Sequence, residues 1–130
     1  MIGIVGGTGL YELGLEGAAW KTIESPFGAP SDQVLTGTLS GHGVVFLPRH
    51  GRGHKIPPHE INFRANIDVL KRAGATSLLS ISAVGSLNSE LPPGTFVLVN
   101  QFVDRTLRGP KTFFGTGCVA QLHRLSPPAA

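Results

Sequence analysis

The chain has 130 residues, the length of a single domain, and its 41% hydrophobic and 15% charged residues exclude a disordered chain. The formal net charge is +3, and no apolar run approaches the ~20 residues of a membrane span. A single cysteine, Cys118, excludes an internal disulfide framework and a multi-cysteine metal site. The first residues lack the basic and long apolar regions of a signal peptide, so we expect a cytoplasmic protein without a membrane partner.

The positive charge is concentrated in one segment. Six basic and two acidic residues lie between Arg49 and Arg72, whereas the rest of the chain is close to neutral. So short a basic segment fits a small anionic ligand at least as well as it fits a nucleic acid. We therefore expect no nucleic-acid partner.

The first half of the chain contains three strand signals. The apolar run Ile2–Val5 ends at a glycine cluster, which predicts a buried strand followed by a tight loop. Two β-rich runs, Val34–Leu39 and Val44–Leu47, are separated by Ser40-Gly41-His42-Gly43, and this arrangement predicts a hairpin.

A helix and two further strands follow. Proline suits a first helical turn and Gly74 supplies a stop, so Pro57-Pro58 predicts a helix that runs to about Ala73. Apolar runs predict strands at 78–84 and 96–99. Strand 44–48, the helix and strand 78–84 form a crossover unit, which predicts a parallel pair in an α/β sheet. The helix has two apolar stripes, and we expect it to be covered on more than one side. The stripes are Phe63, Ile67, Leu70 and Ile61, Ala65, Val69.

The glycine loop after the first strand is the first candidate anion site. Successive backbone N–H groups of Gly6-Gly7-Thr8-Gly9 can converge on an anion, and the Thr8 hydroxyl adds a donor. The loop lacks the last glycine of a dinucleotide fingerprint and the lysine of a Walker A motif. An ordinary strand-end turn is an equally good interpretation.

The second candidate is Arg49-His50-Gly51-Arg52-Gly53-His54, whose arginines and histidines have the composition of an oxyanion pocket. A solvated basic loop is the alternative. Zinc at His50, His54 and His59 is disfavoured, because the cluster holds no acid or cysteine and its arginines repel a cation. The third candidate is Ser80–Ser86 at the carboxyl end of strand 78–84, where Ser82 can donate to a ligand that lies against small residues; an ordinary strand-to-loop turn is the alternative. Because the carboxyl ends of parallel strands form the ligand-binding edge of α/β sheets, we expect the three loops to converge on one anion.

These loops resemble those of the methylthioadenosine phosphorylase branch of the trimeric purine nucleoside phosphorylases. The resemblance runs from residue 2 to about residue 120. The form Ala83-Val84-Gly85-Ser86-Leu87 is similar to the methylthioadenosine branch, whereas ordinary purine nucleoside enzymes have Ala-Gly-Gly in that stretch. The matching segments are Ile4–Leu10, Ser25–Ser31, Phe46–His54, Pro57–Ile67, Ser82–Leu87 and Gln101–Thr106.

The resemblance implies an α/β fold with a mixed central sheet flanked by helices, nucleoside-phosphorylase-like and incomplete at the C-terminus. It implies phosphorolysis of 5′-methylthioadenosine to adenine and 5-methylthioribose 1-phosphate in a homotrimer. Inorganic phosphate is then the co-substrate, with no cofactor and no metal. The alternatives are a purine nucleoside or methylthioinosine phosphorylase and, in another class, a non-catalytic phosphate- or nucleotide-binding module.

The resemblance also assigns residues. It implies that Arg49 holds the phosphate dianion and that Thr8 and the backbone N–H of Ala83 fix its direction. His50 and Ser82 complete the implied ligand set, and no catalytic residue is assigned. The neighbours expected to support these ligands are Gly7, His54 and Gly85.

The chain also departs from the family pattern. Members of the family are considerably longer, and their purine-binding carboxylates and ribose contacts lie in the part not matched here. Gln121 stands where the family has a histidine that reaches into a neighbouring subunit. We therefore expect residues 1–120 to be the N-terminal half of the domain and 121–130 a divergent tail from truncation or frameshift. The activity of this chain is expected to be impaired.

Overall fold

The computed structural model describes residues 1–7, 9–106, 110 and 112–114. The chain divides into two units, Met1–Ala83 and Val84–Ala130. Thr8, Cys118, the boundary expected at residue 120 and the tail from Gln121 lie outside the described residues. The expectations for them therefore remain predictions.

The first unit is a five-stranded mixed sheet with one helix. Its elements are β1 (Ile2–Gly6), β2 (Glu16–Lys21), β3 (Val34–Leu39), β4 (His42–Pro48), α1 (Phe63–Arg72) and β5 (Ser77–Ile81). The strand order is β2-β3-β4-β1-β5. Strand β1 is parallel to β4 and β5, whereas the β2–β3 and β3–β4 pairs are antiparallel. The predicted α/β class with a mixed sheet is confirmed.

The predicted hairpin forms, but with a shorter turn. Ser40 and Gly41 have φ values of 49° and 80°, as a two-residue primed turn requires at both central positions. Leu39 pairs with His42 and Thr38 with Gly43. His42 and Gly43 therefore belong to strand β4 and not to the turn.

Strand β1 lies in the middle of the three parallel strands. Strands β4 and β5 are parallel, as predicted, but β1 separates them and pairs with both. Gly3 to Gly6 are buried, and a strand that is buried along its length suits the interior of a parallel sheet. Gly6 is in register with Pro48 on one side and Ile81 on the other. The loops that follow these strands therefore leave the sheet at the same edge.

The helix begins later than predicted. Asn62 has a non-helical ψ of 84°, and its side chain accepts a hydrogen bond from the backbone N–H of Ala65 at 3.1 Å. Asparagine in this role is an N-cap. Upstream, the Glu60 N–H donates to the Pro57 carbonyl at 3.0 Å, so the prolines form a turn and not the first helical residues. The predicted end is confirmed, because the helix stops before Gly74 with its φ of 99°.

The sheet is covered by a different core on each face. Helix α1 contributes one buried face, which contains Ala65, Asn66, Val69 and Leu70. Phe63 is 44% exposed, so the stripe that contains it is only partly covered in the described part of the chain, as a half-domain would leave it. One core cluster consists of Val5, Val34, Val45, Leu47, Val69 and Leu70. The other consists of Ile4, Leu15, Leu35, Val44 and Phe46.

The strands of the structure differ from the predicted ones at three points. Strand β2 was not predicted, because this exposed edge strand has an irregularity at Gly17 (φ 62°) and an apolar run of only three residues, Ala18 to Trp20. Strand β5 ends at Ile81 and not at residue 84. Residues 96–99 of the second unit form no strand. They pair with no other strand in the described part of the chain, and an extended segment needs such a partner to become sheet.

No helix in the described part of the chain has the length and apolarity needed to cross a bilayer.

Candidate anion-binding site

The candidate site lies at the carboxyl ends of β1, β4 and β5. The Arg49 N–H donates to the Gly6 carbonyl at 2.8 Å, which extends the β1–β4 pairing by one residue into the loops. Ser82 directly follows β5 at the same edge. The structure thus brings together Gly7, Arg49, His50 and Ser82 from three separate loops, as predicted.

Arg49 connects two of these loops. Its Nη1 donates to Ser82 Oγ at 2.6 Å and to the Ile81 carbonyl at 3.3 Å. Its Nε donates to His50 Nε2 at 3.3 Å. Arg49 has no carboxylate partner among the described residues, in contrast to Arg52 and Arg72. All its contacts are neutral, so its positive charge is not compensated, and an anion is the ligand that such a group prefers.

His50 contacts the Arg49 side chain and is only 7% exposed. Its Nδ1 donates to the Ile56 carbonyl at 2.8 Å, since a carbonyl oxygen can only accept. Its Nε2 accepts a hydrogen bond from Arg49 Nε. The two contacts together require the neutral imidazole with its proton on Nδ1.

Gly7 leaves room for the Arg49 guanidinium. A Cβ at Gly7 would lie 3.1 Å from Arg49 Nη2 and 3.8 Å from His50 Cδ2. The Arg49 side chain therefore lies against bare backbone at the end of β1. This close approach explains why the glycine pattern of the first loop and the arginine of the second belong to one site.

Arg52 does not belong to this site. Its Nε and Nη2 donate to the two carboxylate oxygens of Asp32 at 3.0 and 2.9 Å, and its Cζ lies 4.1 Å from the Trp20 ring centroid. Burial alone would raise the pKa of Asp32, but hydrogen bonds from the side chain and backbone of Arg52 outweigh it and hold that pKa below its ordinary value. Of the two arginines in the predicted pocket, only Arg49 is left for an anion. Nothing in the spacing of the 49–54 segment indicated Asp32 as the partner of Arg52.

The three histidines do not form a common centre. The rings of His50 and His54 stack with centroids 4.3 Å apart, and Tyr11 Oη lies 3.4 Å from His54 Nδ1. His59 lies on the exposed surface, 3.6 Å from a Glu60 carboxylate oxygen. No group of three His, Cys, Asp or Glu side chains in the described residues is arranged to hold a metal ion.

The phosphate-binding roles of all the predicted site residues stay predictions, and three of these residues are not placed by the contacts described above. Thr8 lies outside the described residues. Ala83 follows Ser82 and is the last residue of the first unit. Gly85 lies in the second unit.

Residues 1–130 match the family model described as the phosphorylase superfamily. The chain belongs to this family. It is 58% identical to the S-methyl-5′-thioadenosine phosphorylase of Rhodospirillum rubrum, over 100% of this chain and 45% of that protein. It is 50% identical to the protein of the same name from Hyperthermus butylicus, over 97% of this chain and 46% of that protein.

A solved structure shows the same fold. Methylthioadenosine phosphorylase from Schistosoma mansoni in complex with adenine superimposes with a TM-score of 0.82 at 44% identity, covering 89% of this chain and 42% of that one. The predicted nucleoside-phosphorylase-like fold is thereby confirmed. This phosphorylase-superfamily chain spans less than half the length of these relatives.

Proposed function

We propose that this chain supplies phosphate-binding residues to an enzyme that cleaves 5′-methylthioadenosine with inorganic phosphate, giving adenine and 5-methylthioribose 1-phosphate. The observation that carries the proposal is Arg49, a guanidinium without a carboxylate partner in the described residues, at the carboxyl ends of three parallel strands. Relatives named S-methyl-5′-thioadenosine phosphorylase support the choice of substrate. No cofactor besides the phosphate co-substrate is proposed.

Phosphate would be held by donors of different kinds. Arg49 supplies charge, and Thr8 and the Ala83 N–H supply neutral hydrogen bonds. Because Ser82 Oγ already accepts from Arg49 Nη1, its own proton is left to donate to a phosphate oxygen. The neutral His50 offers phosphate no N–H, so it acts by orienting Arg49. A proton taken up at its Nε2 would make it a direct donor to the dianion.

The reaction needs phosphate in a defined place more than it needs a strong base. Phosphate attacks C1′ while the bond to the purine breaks, and positive charge develops on the ribose in an oxocarbenium-like transition state. A dianion fixed beneath C1′ is both the nucleophile and the group that stabilises this charge. Arg49 and Ser82 would hold phosphate in a defined place, since their 2.6 Å hydrogen bond joins the loops after β4 and β5.

Stabilisation of the departing purine is assigned to other parts of the protein. The carboxylates that pair with a basic side chain in the described residues are Asp32, Glu60 and Asp68, and their partners are Arg52, His59 and Arg72. None of these three paired carboxylates is an evident acid for the purine, and the resemblance to the family puts its purine-binding carboxylates outside the matched part. We therefore expect the purine-binding groups in the portion of the relatives that this chain does not span.

A homotrimer in the cytoplasm is part of the proposal. The edge strand β5 leaves Leu78 and Leu79 49% and 46% exposed. In a chain that spans less than half of its relatives' length, such an apolar strand edge favours pairing either with the portion not spanned here or with another subunit. The sedimentation coefficient of the protein tests the trimer.

A chimera tests the function. This chain replaces the matched part of the Rhodospirillum rubrum relative, and purine release is measured with 5′-methylthioadenosine, adenosine and inosine, each with and without phosphate. We expect adenine release from methylthioadenosine that depends on phosphate and falls in the Arg49→Ala chimera. Faster cleavage of inosine would favour a purine nucleoside phosphorylase. Phosphate binding without any cleavage, in a chimera with native circular dichroism, would favour a non-catalytic binding module.

A further inference from the structure

We propose that Asp32 is a positioning residue for phosphate binding, which acts through Arg52 to hold the loop that carries Arg49 and His50. The inference rests on the proposed function, because it assigns to Asp32 a part in the same anion site. Asp32 lies outside the segments that carry the proposed phosphate ligands. In the described residues it contacts Arg52 but none of the ligands themselves.

Asp32 binds both the main chain and the side chain of Arg52. Its Oδ2 accepts from the backbone N–H of Arg52 at 2.7 Å and from Nε at 3.0 Å, while Oδ1 accepts from Nη2 at 2.9 Å. The carboxylate side chain is 13% exposed. A surface ion pair that joins only side chains leaves the backbone free. Here the backbone bond holds the loop itself, three residues after Arg49.

The segment that presents Asp32 is fixed to the core of the sheet and helix. Asn66, 2% exposed on α1, accepts from the Ser31 N–H at 2.7 Å and donates through Nδ2 to Ser31 Oγ at 2.9 Å. A Cβ at Gly51 would lie 3.0 Å from the Ser31 carbonyl, so the two backbones are in direct contact there. The contacts therefore run from a buried helix residue through Ser31 and Asp32 to the loop.

Two backbone hydrogen bonds lie within the loop itself. The His54 N–H donates to the Gly51 carbonyl at 3.1 Å, and the Ile56 N–H to the His50 carbonyl at 3.0 Å. The start of the loop is held against the sheet by Arg49, whose backbone N–H donates to the Gly6 carbonyl at 2.8 Å. The middle of the loop is held by Arg52, which donates to Gln33 Oε1 at 3.0 Å as well as to Asp32. Loss of the Asp32 carboxylate would free the backbone N–H of Arg52 and loosen the middle of the loop, and the bond from Arg49 Nε to His50 Nε2 would weaken with it.

Electrostatics and positioning predict opposite effects for Asp32. Its carboxylate is a negative charge near an anion site, and its removal also frees the Arg52 cation. If Asp32 acted by charge alone, its loss would strengthen phosphate binding. If Asp32 positions the loop, its loss weakens phosphate binding although the protein becomes more positive.

The experiment compares Asp32→Ala and Asp32→Asn with Asp68→Asn in the 130-residue chain. Asp68 is a matched control, because its side chain is 14% exposed and pairs with Arg72 at 2.7 Å on α1. Inorganic phosphate affinity is measured by calorimetry, and amide hydrogen exchange is followed over residues 49–54. We expect Asp32→Ala to weaken phosphate binding about tenfold, the equivalent of one hydrogen bond to a charged group. Asp32→Asn, which keeps an acceptor for the Arg52 N–H, should lie between, and Asp68→Asn should match the unmodified chain.

A double mutant separates positioning from a loss of stability. If Asp32 acts on the site through the loop, Asp32→Asn should have almost no further effect on phosphate affinity in an Arg49→Ala background. Unchanged or tighter phosphate binding in Asp32→Asn and Asp32→Ala, with a folded chain, overturns the inference. Unchanged exchange in the loop overturns it as well. An unmodified chain that binds no phosphate overturns the proposed function, and the exchange measurement then still decides whether Asp32 holds the loop.

Discussion

Replacement of Arg49 by alanine removes, at the carboxyl ends of β1, β4 and β5, a positive charge that has no carboxylate partner in the described residues. Arg49 uses Nη1 for Ser82 and Ile81 and Nε for His50. In the described part of the chain, Nη2 makes no hydrogen bond and lies beside Gly7. The variant therefore loses one hydrogen bond to the phosphate dianion from Nη2, together with the contacts that orient Ser82 and His50.

The expected loss of phosphate affinity follows from this count. A hydrogen bond to a charged group contributes about 1.5–3 kcal/mol, and each 1.4 kcal/mol is about a factor of ten in affinity. We expect Arg49→Ala to weaken phosphate binding by about 10- to 100-fold. Arg49→Lys keeps the charge but cannot reach Ser82, Ile81 and His50 with one planar group, so it should recover only part of the affinity.

Calorimetric titration with inorganic phosphate at constant ionic strength measures the effect. Arg64→Ala is the matched control, because it removes the same charge from α1, where Arg64 has no carboxylate partner in the described residues and lies 5.5 Å from the Phe27 ring centroid. The control should bind phosphate like the unmodified chain. Equal losses in the two variants would show that only net charge matters. Equal affinity of Arg49→Ala and the unmodified chain would refute the site.

Four further outcomes are expected. Gly7→Ala should fold normally and bind phosphate several-fold more weakly in calorimetry, because its Cβ would lie 3.1 Å from Arg49 Nη2, the end of a flexible side chain. In ¹⁵N spectra, the neutral His50 imidazole should carry its proton on Nδ1, and a proton on Nε2 would contradict the contact with Arg49. Because the folded-state pKa of Asp32 lies below its ordinary value of 3.8, the stabilisation from its pair with Arg52 is present above that value and is lost as the pH falls through the folded-state pKa. Asp32→Asn should therefore flatten the acid limb of the unfolding curve, and an unchanged limb would argue against the pair. The 130-residue chain by itself should release little or no adenine from 5′-methylthioadenosine, since loss of one stabilising group costs ~10²–10³ in rate. Turnover like that of a full-length relative would show that the purine-binding groups of the portion not spanned here are dispensable.

The sequence alone determined the local features of the fold and the composition of the site. Apolar runs identified β1, β3 and β4, because a buried strand must be apolar wherever its partners lie. Glycine signals ended the helix at Gly74 for reasons internal to the backbone. Three loops with anion-binding residues were predicted to converge, because parallel strands end at one edge of a sheet.

Tertiary structure decided which strands are neighbours and which charges are paired. No local pattern states that β1 lies between β4 and β5, because that order depends on how the whole sheet is buried. The side chain of Asn62 caps α1, so the helix begins there and not at Pro57-Pro58. Arg49 and Arg52 are chemically alike and lie three residues apart, yet Asp32, from the segment before β3, binds only Arg52. An ion pair depends on distance in space, so only the folded chain distinguishes Arg49, which has no carboxylate partner in the described residues, from Arg52, which Asp32 binds.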